Sequence, residues 1–148
     1  MSKLKIDQGE WVVVCDGGKA LILENIGDRI SPNLRTAEAR EHPDPLTHEQ
    51  GTDSPGRVHA SVGTARSSVE QTDWHDQAER EFLQALVGRL DLALRNGETK
   101  SMIVVAPPRA LGMLRQAYTA SVRGAVRDEI DKDLVKIPVY EIEKRLFS

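Results

Sequence analysis

The stretch Trp11-Val12-Val13-Val14-Cys15-Asp16-Gly17-Gly18-Lys19-Ala20-Leu21-Ile22-Leu23 decides how the rest of the chain is read. A continuous β-prone apolar run, an Asp-Gly-Gly turn and a second apolar run predict a hairpin. A second run, Ser101-Met102-Ile103-Val104-Val105-Ala106, is short and apolar throughout. That composition suits a strand covered by helices on its faces. Pro107-Pro108 ends it, and Pro108 is placed as the first residue of a helix through about Tyr118. Leu111, Leu114 and Tyr118 give this helix its apolar stripe, and Ser121-Val122-Arg123-Gly124 is expected to break it.

Outward from these two runs, Leu34 to His42 alternates weakly and predicts a third strand at a sheet edge, where Arg and Glu discourage further pairing. Asp73 to Asn96 predicts the main helix. Its apolar face is taken as Trp74, Ala78, Phe82, Leu86, Leu90 and Leu94 or Ala93, with Trp74 packed in the core. Asp73 is expected to be the N-cap, with Asp76 and Glu79 near the positive end of the helix dipole, and Asn96-Gly97 the stop. Val126, Ile130 and Leu134 fit a helical stripe and a period of two alike. Because the segment follows a strand–helix pair, a strand over 125–131 is favoured. Pro138 to Phe147, with Val139, Ile142 and Leu146 in helical register, predicts the last helix. The order β-β-β-long loop-α-β-α-β-α gives an α/β fold, a mixed sheet covered by helices. Residues 1–8 are expected to be a flexible tail and 9–148 a single domain.

Composition bounds the class. With 148 residues, 39% hydrophobic and 29% charged, the chain can bury one core. No apolar run approaches the roughly 20 residues that span a bilayer. The N-terminal MSKLKIDQGEW lacks the apolar segment of a signal peptide. Cys15 is the only cysteine, so no disulfide forms within the chain, and a cytoplasmic location with no membrane partner is expected. No motif calls for a cofactor or a small-molecule substrate, and none is expected. The net charge of −3 excludes a general nucleic-acid coat. Its distribution is uneven. From Ser101 to Arg127 the chain holds Arg109, Arg115, Arg123 and Arg127 and no acid, whereas Asp128, Glu129, Asp131 and Asp133 follow at once. Two readings stand: a basic face for a phosphate backbone or an acidic partner, or a solvated face whose arginines pair with nearby acids.

The least regular stretch is 43–72, PDPLTHEQGTDSPGRVHASVGTARSSVEQT, with three Pro and three Gly. Structureless connections beyond roughly 12–15 residues are uncommon in compact domains and are usually functional or disordered.

Taken together, WVVVCDGGKALIL, GTDSPGR, EQTDWH, VVAPPRALGMLR and EIDKDLVKIPVYEIEKRL resemble the bacterial host attachment protein family, described as required for attachment to host cells. The resemblance runs from about Trp11 to Leu146. That family is in turn similar to the middle domain of archaeo-eukaryotic peptide-chain release factors and of Pelota. The similarity implies a mixed α/β domain whose long loop leaves the first β-meander and reaches into the ribosome. In release factors that loop carries Gly-Gly-Gln. Here the only Gly-Gly is Gly17-Gly18, in the hairpin turn and followed by Lys19, so no catalytic residue carries over.

The candidate sites follow from residue chemistry. Arg57 and Arg66 in the loop suit phosphate binding, with Gly51 and Gly56 allowing close backbone approach; alternatively Asp53 and Ser54 simply build turns. His75, near the loop, is a weak candidate base, and His42, His48 and His59 lack metal-ligand spacing. Asp53 and Asp131 are weak catalytic candidates beside it. Asp16, Asp131 and Asp133 would gather Mg²⁺ only if their strand ends were adjacent; turn chemistry explains them otherwise. Pro107-Pro108-Arg109 offers either an anion site at a helix start or plain punctuation between a strand and a helix. The expectation is a non-enzymatic binding module for the ribosome, structured RNA or a translation factor, acting through the 43–72 loop and Arg109, Arg115, Arg123 and Arg127. The alternative is a peptidyl-tRNA hydrolase or metal-dependent nuclease acting through that loop. Direct adhesion to a host is disfavoured by the missing signal peptide, which makes any link to attachment indirect.

Overall fold

A computed structural model describes residues 4–42 and 68–147, with side chains from residue 74 onward in the second span. Among these residues the elements are β1 (Trp11–Cys15), β2 (Lys19–Asn25), β3 (Leu34–Glu41), α1 (Ser68–Arg95), β4 (Met102–Ala106), α2 (Pro108–Ala117), α3 (Ala120–Ala125), β5 (Val126–Asp131) and α4 (Val139–Phe147). One five-stranded sheet has the order β3-β2-β1-β4-β5. β1 pairs β2 antiparallel and β4 parallel, β2 pairs β3 antiparallel, and β4 pairs β5 parallel. The expected mixed α/β sheet is therefore present.

β1 and β4 are buried at every residue because they occupy the middle of the sheet with both faces covered. Alternation sorts their side chains. Trp11, Val13, Cys15, Met102, Val104 and Ala106 face α1, α2 and α3. Val12, Val14, Ile103 and Val105 face a second layer built by α4, the turn before it and Ile6. The Asp-Gly-Gly turn closes the first hairpin as expected. Asp16 Oδ1 accepts hydrogen bonds from the Gly18 and Lys19 amides, each 2.8 Å long. β3 is the expected edge strand, exposed or half-buried along its length except at Leu34. Its pairing with β2 slips by one residue between Ile22 and Leu23.

Several expectations are corrected. α1 begins at Ser68, so the last residues of the expected loop are helical and Asp73 lies inside the helix instead of capping it; 43–67 lie outside the described residues. Trp74 is 45% exposed and is not in the core. The buried stripe is Leu83, Leu86, Val87, Leu90 and Ala93, with Phe82 and Leu94 half-buried beside it. A strict spacing of four advances ~400° per step, ~40° past a full turn, so Trp74 and Leu94 lie on different sides of a straight helix. The C-terminal stop is as expected: Gly97 has φ +73°, its amide bonds Leu94 O, and the Glu98 amide bonds Ala93 O at 2.9 Å. The helix after β4 ends at Ala117 with Tyr118 as its C-cap, and 120–125 forms a second short helix whose cap, Thr119 Oγ1, accepts from Val122 N. The flexible tail is corrected from residue 4 onward. Ile6 is completely buried, and Asn25 Nδ2 donates to the carbonyls of Ile6 and Asp7.

Candidate functional site

The carboxyl ends of the parallel strands β1 and β4 open on one edge of the sheet, the usual place for ligands in open α/β folds. There the β1–β2 turn, the start of α2 and the side of α1 enclose a cleft of about 540 Å³. Gly17 lies directly under Glu79 of α1; a Cβ at that position would come within 2.7 Å of the Glu79 carboxyl carbon. Pro107 enters α2 in an extended conformation with no side-chain cap, and Pro108 has no amide hydrogen to offer. The charged lining is balanced, with Lys19, Arg109 and Lys136 against Asp16, Glu41 and Glu79. Arg109 reaches back to α1, where its Nε donates to Glu79 Oε1 at 3.0 Å and its Nη2 pairs with Asp76. The acids expected near the start of the helix thus serve as partners of an arginine on α2.

This edge also holds one described end of the 43–67 stretch, His42. The His42 amide donates to Gly18 O at 2.7 Å, and the His42 ring lies 5.8 Å from Phe82. Glu79 and Phe82 bring α1 to the same edge, and the helix turns before them connect to Ser68. Asp53, Arg57 and Arg66 lie outside the described residues.

The arginine face resolves into separate ion pairs. Arg115 donates through Nε and Nη2 to Glu129 Oε1 at 2.8 and 2.7 Å, while Tyr118 Oη donates to Glu129 Oε2 at 2.7 Å. Burial pushes the Glu129 carboxyl up, but the hydrogen bonds from Arg115 and Tyr118 outweigh it and hold the group below its ordinary range. Burial, and then the bond to Glu129, push the Tyr118 phenol upward. Arg123 lies 5.6 Å over the Tyr118 ring and donates to Arg115 O. Arg127 donates to both oxygens of Glu10, at 2.8 and 2.9 Å, and to Lys5 O. Glu10 is 7% exposed. Burial raises its carboxyl, yet Arg127, Ser101 and the Asp7 amide together hold it below the usual carboxylate range. Arg109, Arg115 and Arg127 therefore each have a carboxylate partner.

The remaining candidates stand apart. His75 is exposed on α1, and Asp131 is exposed at the end of β5. The juxtaposition that would gather Mg²⁺ is corrected: β4 stands between β1 and β5, so Asp16 and Asp131 are separated by two strand spacings, about 10 Å. Among the described residues no group of three His, Cys, Asp or Glu is arranged to hold a metal ion. No helix among them is long and apolar enough to cross a membrane. The sequence reading overlooked Lys19 and Lys136. Their only signal is position, beside a turn in one case and four residues after Lys132 in the other.

Two comparisons place the chain among known proteins. An uncharacterized protein of Rickettsia prowazekii (strain Madrid E) is 24% identical over 140 residues, covering 93% of this chain and 91% of that protein. A family model described as "Protein required for attachment to host cells" matches residues 11–146, from the first residue of β1 into the last turn of α4. The chain therefore belongs to the family of proteins required for attachment to host cells.

Proposed function

We propose that this protein is a non-enzymatic binding module of release-factor-like fold that engages the ribosome, a structured RNA or a translation factor. Its bearing on host attachment is then indirect. The observation that carries this reading is where the 43–67 stretch joins the domain. It leaves the β-meander at His42, beside the β1–β2 turn and the charged cleft, and the chain re-enters the described residues at Ser68 of α1, about three helical turns before Glu79 reaches that cleft. The order of meander, long connection and long helix is the order that the release-factor resemblance implies. The cleft's acids support binding over acid–base chemistry, since Asp16 is engaged by two amides and Glu79 by Arg109.

The test is sedimentation of a cell lysate containing the tagged full chain through sucrose gradients. At about 50 mM salt the protein should travel with ribosomal particles, and at about 200 mM it should be released, as expected of phosphate contacts. A protein that stays at the top of the low-salt gradient overturns the reading.

A further inference from the structure

Arg109, Arg115 and Arg127 are each matched by an acid and Arg123 is held over the Tyr118 ring, while further unmatched positive charge lies elsewhere. A groove of about 440 Å³ runs along β5 between the N-terminal segment and α4. Its cations are Lys5, Arg127, Lys132 and Arg145, and its one acid is Asp128. Its apolar floor is Leu4, Ile130 and Leu146. Arg127 is held by Glu10, but Lys5 and Lys132 have no ion-pair partner among the described residues. Arg145 has only a long contact to Glu141, at 3.8 Å on an exposed helix face, which neutralises little. The groove is thus net positive on a chain whose total charge is −3.

We propose that this groove binds the phosphate backbone of RNA, and that it, not the Arg115–Arg123 surface, is where the module grips nucleic acid. The proposal rests on the reading of the protein as an RNA- or ribosome-binding module. Three observations favour RNA over an acidic polypeptide. The cations are spread along the strand: Lys5 and Arg127 sit at its start, Lys132 just past its end and Arg145 alongside. Six strand residues span ~20 Å, a length over which a nucleic-acid strand presents several successive phosphates. The edge is also poorly suited to adding a peptide strand, because the Glu129 amide is already bonded by Asp128 Oδ1 at 2.9 Å. Finally, Asp128, Glu129 and Asp131 are all on β5, and they would lie at strand distance from the side chains of an added acidic peptide. Lys132 and Lys136 belong to one connection, which links this groove to the cleft beside β1 and β4.

The experiment uses the full chain and a fluorescein-labelled single-stranded RNA of mixed sequence, followed by anisotropy across a salt series. The groove variant is Lys5→Ala/Lys132→Ala/Arg145→Ala, and the control is Arg115→Ala/Arg123→Ala. Circular dichroism of each establishes that it is folded. The groove variant should bind at least ten-fold more weakly, with the slope of log affinity against log salt reduced by about 2, as for three lost contacts to a single strand. The control should change by less than two-fold. RNA binding that survives in the groove variant, or that is lost in the control instead, overturns the assignment even if ribosome co-sedimentation persists. Failure of the wild-type chain both to bind this RNA and to sediment with ribosomes overturns the functional reading as well. Binding of a polyglutamate peptide, abolished in the groove variant while RNA is not bound, replaces RNA with an acidic protein partner and also overturns the proposal.

Discussion

Arg127 separates a structural role from a recognition role more sharply than any other residue. Both of its forked donors go to Glu10, 117 residues away in sequence, while Ser101 Oγ and the Asp7 amide fill the other acceptor sites of that carboxylate. Arg127→Ala leaves Glu10 buried and charged with two donors instead of four. Breaking a buried pair costs roughly 3–5 kcal/mol. Arg127 is 39% exposed and Glu10 keeps two partners, so the expected loss is smaller, about 2–3 kcal/mol. For a chain of this size that lowers Tm by about 5–10 °C. The pH dependence follows from the sign of the Glu10 shift. Its folded-state carboxyl sits below the ordinary value, so the clasp contributes fully above pH ~4.3 and is lost as pH falls through the lower folded value. The Tm gap between wild type and Arg127→Ala should therefore be flat from about pH 8 to 5.5 and shrink below about pH 4. Thermal unfolding by circular dichroism at pH 7 and pH 3.5, with Glu10→Gln and the double variant, gives the coupling directly. An unchanged Tm in Arg127→Ala, or a gap as large at pH 3.5 as at pH 7, would refute the reasoning.

Three further outcomes follow from the packing. Burial pushes the Cys15 thiol up to about 12, so a thiol reagent at pH 8 should label the folded protein negligibly and the guanidinium-unfolded protein at once; rapid labelling of folded protein contradicts the buried placement. Gly27→Ala should cost at least about 2 kcal/mol in urea unfolding, because its Cβ would meet the Ser31 carbonyl oxygen at 2.2 Å and break the turn that Asn25 organises; a neutral variant would show that this turn is misplaced. Trp74→Ala should cost less than about 1 kcal/mol whereas Leu83→Ala costs about 3, and the reverse order would restore the helix face expected from sequence.

Local chemistry made the sheet and the helix ends legible. The apolar runs of β1 and β4, the Asp16 turn, Pro108 and Gly97 each act within a few residues of themselves, so their physics is written in the neighbouring sequence. The rotation of α1 was harder, because its sequence offers apolar residues on more than one side. Only packing against Val13, Val104 and Ala106 selects Leu83 and Val87 over Trp74. The N-terminal segment was misread for a similar reason: Leu4 and Ile6 look like isolated apolar residues until the second layer around α4 exists to receive them.

The arginine run shows the same limit on the functional side. Arg109, Arg115 and Arg127 are close in sequence and look like one surface, but their partners Glu79, Glu129 and Glu10 lie 30, 14 and 117 residues away. Charge matching is settled by topology. β5 brings Glu129 under α2, and the parallel pairing of β1 with β4 puts Glu10 and Ser101 at the same end of the sheet. Among the charges left over once those pairs form are Lys5 and Lys132, far apart in the sequence, and the groove along β5 brings them together with Arg145. A basic patch read from sequence spacing counts charges. One that can hold a phosphate counts charges still available after folding, and by that measure the β5 groove exceeds the run that first drew attention.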